Sequence, residues 1–111
     1  MIESPTAKNR LRTRLQAAAR EECDAVFKVV KTQCQQLKDI ELRFEDTPDS
    51  KMLAAGVPPE AVSTVRAGEI VLFLFNIYQA GKNAADFREG VRRALLTEIG
   101  DLIGEEVVEQ G

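Results

Sequence analysis

Five consecutive residues, Thr97-Glu98-Ile99-Gly100-Asp101, hold the side chains best spaced for chemistry in this chain of 111 residues. Turning about 100° per residue from Phe87 at zero puts Val91 at roughly 40°, Ala94 at roughly −20°, Leu95 at roughly 80° and Leu102 at roughly 60°, an apolar arc. Glu98 falls at roughly 20° on the same wheel, inside that arc, with Asp101 and Thr97 together on one flank. A carboxylate within an apolar stripe is costly unless it is paired, hydrogen-bonded or neutral. Three readings of Glu98 stay open: an acid–base group beside a cleft, a structural carboxylate bonded to a backbone amide or an arginine, and a carboxylate at a gap in the core that reaches solvent. Arg88, Arg92 and Arg93 point elsewhere on the wheel, as ordinary ion-pair patterning.

The chain contains no histidine. A Ser/His/Asp or Cys/His nucleophile is therefore excluded, as is a mixed Cys/His zinc site. Glu98, Asp101 and Glu105 or Glu106 offer only oxygen donors, a set suited to Mg²⁺, Ca²⁺ or Mn²⁺. Residues 98 and 101 lie too close on one helix to form a full shell, and no other element clearly supplies more ligands. No glycine-rich phosphate loop is present. Tyr78, the only tyrosine, is a candidate cleft residue or a packed rim residue.

The elements that must position this segment are legible from periodicity. Leu11, Leu15, Ala19, Cys23, Phe27 with Val26, Val30, Cys34 and Leu37 recur every three to four residues, which predicts one amphipathic helix from residue 6 to about 37. A coiled-coil seam is the rival reading, weakened by Ala, Cys and paired Val. Ile40, Leu42 and Phe44 alternate with Glu41, Arg43 and Glu45, the pattern of a half-buried strand. Lys51 to Ala55 is expected as a short helix stopped by Gly56, and Glu60 to Val65 as another short helical turn. Part of residues 46–68 is also expected to add a short strand, because two strands make a poor sheet. Glu69 to Phe75 reads as a strand buried on both faces. A second long helix is expected from Ala84 to about Ile103, with Gly104 as its stop. The fold class is α+β, a single domain over residues 1–111 with residues 1–7 flexible.

Composition narrows the function classes. Residues 1–39 carry eight Lys/Arg against five Asp/Glu, and residues 40–111 seven against thirteen, for a net of −3. Lys8, Arg10, Arg12 and Arg14 form the densest basic stretch, and no aromatic residue interleaves with them to stack on bases. A solvated helix face is expected there, with no nucleic-acid role. No apolar run approaches the ~20 residues that span a bilayer, and the N-terminus lacks the order of a signal peptide. A cytoplasmic chain without membrane contact is expected. Cys23 and Cys34, eleven residues apart, would stand roughly 16 Å apart along one helix, too far to bridge.

Residues 89–104, EGVRRALLTEIGDLIG, resemble the active-site helix of the minimal zincin-like metallopeptidases. There an HExxH motif holds zinc through two histidines one turn apart, and the Glu between them activates a bound water. IELRFEDTPDSKMLAAGVPP, residues 40–59, is similar to that family's first strand, its EDxP turn and its LGLPP connection, and residues 70–76 to its second conserved strand. The resemblance spans about residues 8–108 and implies the α+β zincin-like fold, with a long N-terminal helix, a small mixed sheet and the motif helix at the C-terminal end.

The departures fall on function. Thr97 and Asp101 stand at the two histidine positions, as vestigial ligand positions. Glu98 keeps the place of the catalytic carboxylate as a remnant. Gly104 keeps the family's glycine, but Val107 stands where a third ligand would fall. The connection before the second strand is shortened, to about Ala61–Gly68. The resemblance thus implies no zinc, no other cofactor, no zinc peptidase activity, and binding of a peptide or protein partner. Two alternatives stand beside it: a hydrolase using Glu98 and Asp101 with another metal, and a helical dimerisation or interaction module built on the first helix. Oligomeric state is left open by the sequence.

Overall fold

The computed structural model describes residues 3–30, 40–66 and 68–103. Its first element is helix α1, Glu3–Val30. The expected stripe is the face it buries: Leu15, Ala19, Cys23, Val26 and Val30 are all buried, with Leu11 and Phe27 packed beside them. The continuation of the stripe to Cys34 and Leu37 lies outside the described residues.

Strand β1, Glu41–Glu45, follows, then the short helix α2, Ser50–Ala54, whose Met52 N–H donates to the capping Asp49 carboxylate at 2.8 Å. Gly56 ends that turn at φ 105°, a left-handed conformation that costs glycine least. Strand β2 is Ser63–Arg66 and strand β3 is Glu69–Phe73. Helix α3, Leu74–Ala80, and helix α4, Ala84–Ile103, complete the order. The α+β class and the two long helices are those expected from the sequence.

The sheet order is β1-β3-β2, with β3 in the centre, parallel to β1 and antiparallel to β2. Alternation along β3 divides the interior. Ile70 and Leu72 join α1, α4, Leu42, Phe44 and Val65 in the main core, whereas Val71 and Phe73 turn to Met52, Val57 and Ala61 on the opposite face. All four are fully buried, as expected of a strand covered on both sides.

Two local expectations are corrected. Glu60 to Val65 is not a helical turn, because the chain past the Pro58–Pro59 pair enters β2, which supplies the third strand expected within residues 46–68. Ser63 and Val65 face the helices opposite Leu72 and Ile70, and four residues are too few to display that alternation clearly. The strand expected over Glu69 to Phe75 ends at Phe73, and Tyr78 lies within α3. Leu74 and Ile77 are the buried pair of α3, a spacing of three hidden inside a continuous apolar run. No side chain caps α3. Instead, the Phe75 N–H in its first turn donates to the Asp46 carbonyl at 3.1 Å, which meets a donor that helix ends leave unpaired.

Helix α4 begins where expected. The Asn83 side chain accepts from the Asp86 N–H at 2.9 Å, and the Asp86 carboxylate accepts from the Lys82 N–H at 2.9 Å, a reciprocal arrangement close to a capping box. Arg88 binds Glu21 and Glu22, and Arg92 reaches Glu22, so α4 is clamped to α1. Those contacts raise the Arg88 pKa above its ordinary value, chiefly through the hydrogen bond to Glu22. Among the described residues, no helix is long and apolar enough to cross a membrane.

Candidate functional site: the cleft between strand β2 and helix α4

The outer strand β2 runs beside α4, and a cleft of about 460 Å³ opens between them. Val62 and Ser63 line it at the start of β2, Ile77 and Ala80 from α3, and Gly90, Arg93, Ala94 and Thr97 from α4. Gly90 keeps α3 and α4 close: a Cβ there would meet Ile77 Cγ2 at 2.8 Å. The cleft is mainly apolar, with Asp86, Glu89 and Arg93 as charged members of its lining. Glu89 and Arg93 pair with each other at 2.7 Å.

Glu98 is half-buried and accepts a hydrogen bond from the Ser63 hydroxyl at 2.6 Å. Among the described residues, neither a backbone amide nor an arginine is seen to hold it. The partner comes from β2, 35 positions earlier in the chain, and the sequence carries no signal for that pairing beyond the inward face that Ser63 shares with Val65. The bond ties the edge strand to α4 beside the cleft, whose lining includes Ser63.

The other expected residues disperse around this point. Thr97 is exposed on the cleft wall, and its hydroxyl donates to the Arg93 carbonyl at 2.9 Å. Asp101 is exposed one turn further along α4. Tyr78 does not join them: it lines a separate groove on the far side of the α3–α4 connection. It is 45% exposed there, so it is a rim residue of a different depression.

The described donors do not fit a zinc centre. Thr97 and Asp101, the residues the resemblance would align with zinc ligands, offer a hydroxyl and a carboxylate, and the chain has no histidine. Among the described residues, no three His, Cys, Asp or Glu side chains gather where they could share an ion; Glu105 and Glu106 lie outside those residues.

What the cleft does offer is backbone. The Phe73 N–H donates to the Val62 carbonyl at 2.9 Å, so Thr64 and Arg66 continue the bonding toward β3, given the register of the pair. The N–H and C=O groups of Ser63 and Val65 are therefore turned to the outer edge, and no described strand lies beyond β2. Asn76 steadies the approach to this edge, donating to the carbonyls of Pro59 at 2.9 Å and Ala61 at 2.7 Å. Sequence reasoning found neither Asn76 nor Ser63 as a positioning group. Compared with known protein families, curated proteins and solved structures, the chain matches none of them.

Proposed function

We propose that this chain is a cytoplasmic peptide- or protein-binding domain on a zincin-like scaffold, without zinc peptidase activity. An extended segment of a partner adds to the outer edge of β2 and sets one apolar side chain into the cleft beside α4. The observation that carries this reading is the outer edge of β2, unpaired among the described residues, lying along an apolar cleft. Exposed sheet edges recruit strands through main-chain hydrogen bonds, and pockets for alternate side chains give such binding its selectivity. The Ser63–Glu98 bond supports it by fixing the strand against the helix, so that the edge is presented in one geometry. In this reading Glu98, the remnant of the catalytic position, is a positioning residue.

The test is to select extended peptides on the intact chain and follow amide exchange. The Ser63 and Val65 amides should exchange readily in the free protein and become protected on binding. Val65→Pro removes an outward N–H without removing a bond to β3, and should abolish capture. Peptides that bind while those two amides stay unprotected would overturn the reading.

A further inference from the structure

We infer that the groove between α1, the end of α3 and the start of α4 is a binding site for a small amphiphilic anion, a carboxylate, phosphate or sulfonate on an apolar body. The groove has a volume of about 600 Å³, within the usual range for small-molecule sites of roughly 300–1,000 Å³. Leu11, Leu15 and Ala18 of α1 and Phe87 of α4 supply its apolar surface, with the ring of Tyr78 at the rim. Leu15 and Phe87 belong to the core, so the floor is anchored by packing rather than left to a loop.

Charge decides the ligand class. Among the described residues, three cations, Arg14, Lys82 and Arg88, line the groove, and no Asp or Glu does, in a chain whose net charge is −3. Arg88 is already engaged by Glu21 and Glu22. Arg14 on α1 and Lys82 on the α3–α4 connection are exposed, and among the described residues neither side chain has an ion-pair partner. Two cations from two different elements, unpaired among the described residues, thus flank one apolar floor. The cleft beside β2 lacks this arrangement, since Asp86 and Glu89 share its lining with Arg93.

The groove favours a compact ligand over a peptide strand. Its walls are two helices, a helix end and a short connection, whose main-chain groups are largely spent within helices. The outer edge of β2 lies at the other cleft, and among the described residues Gly81 is the one common to both depressions. The two sites are therefore separate, and this assignment does not rest on the peptide reading.

The intact chain can be titrated with anilinonaphthalene sulfonate, an aromatic amphiphilic anion, and with its uncharged counterpart phenylnaphthylamine, following fluorescence. The sulfonate should bind saturably at one site per chain, more tightly than the neutral probe, and dodecanoate should displace it. Arg14→Glu/Lys82→Glu should weaken sulfonate binding by about tenfold or more, as expected for two reversed surface charge contacts. The same variant should keep its melting temperature and its affinity for the neutral probe, which distinguishes a lost site from a lost fold. Unchanged sulfonate affinity in that variant would overturn the assignment. So would an equal loss in Arg93→Glu at the other cleft, or displacement by a glutamate-rich peptide but not by dodecanoate.

Discussion

Ser63 and Glu98 join the edge strand to the helix beside it through a 2.6 Å hydrogen bond, and the worth of that bond can be measured. A half-buried hydrogen bond to a carboxylate contributes on the order of 1.5–3 kcal/mol, and a neutral one about 1 kcal/mol. Ser63→Ala is expected to lower the unfolding free energy by about 1–2 kcal/mol. Glu98→Gln should cost less, because an amide oxygen can still accept from the Ser63 hydroxyl. In a urea-melt double-mutant cycle with Glu98→Ala, the two truncations should be less than additive; strict additivity would mean that the bond does not hold in solution. Glu98 was marked in the sequence by its place on the helical wheel. Ser63 was not, because a lone serine in a short strand looks like any other until the register of β2 on β3 is known.

Elements differ in how plainly they announce themselves. The stripe of α1, the alternation of β1 and the capped run of α4 each repeat often enough to be read directly from the residues. Strand β2 and helix α3 do not, since one is four residues long and the other begins inside an apolar run. The packing of α3 on α4 gives the sharpest test at this scale. Alanine at position 90 gains up to about 1 kcal/mol of helix propensity over glycine, yet its Cβ would stand 2.8 Å from Ile77 Cγ2. Ile77 is buried and β-branched, so it yields poorly, and overpacking costs about 1–3 kcal/mol. Gly90→Ala should therefore be destabilising by about 1 kcal/mol in thermal or urea unfolding, from the balance of those two effects. Ile77→Leu, which moves the branch away from Cβ, should recover part of that loss in the double variant. A Gly90→Ala protein more stable than the parent would show that the two helices are not this close.

Stability of the whole molecule is linked to pH through a residue that takes no part in either site. Cys23 is fully buried in the main core, and burial pushes its thiol up to about 12, against an ordinary value near ~8.5. A raised thiol pKa favours the protonated form in the folded state. The contribution is thus fully present below about pH 8.5 and is lost as the pH rises toward the folded value, at up to ~1.4 kcal/mol per pH unit. In a Cys34→Ala background, urea unfolding should show stability falling more steeply above about pH 9 than in the same protein carrying Cys23→Ala. Equal slopes would show that the thiolate is tolerated inside. The native thiol should also resist thiol reagents at neutral pH, as buried protonated thiols do. The central position of β3 bears on a different property, the order in which the fold assembles in time. Strands β2 and β3 are antiparallel neighbours close in sequence, with Gly68 at φ 80° just before β3, and can pair early as a local hairpin. Strand β1 is separated from β3 by α2 and β2, so joining it requires closing a much longer loop, which is slower. Until that docking is complete, β1 and β3 each show a bare edge to solvent, a template for pairing between chains. The interval between hairpin and finished sheet is then when neighbouring molecules can entangle, and its length is set by how fast β1 docks on β3.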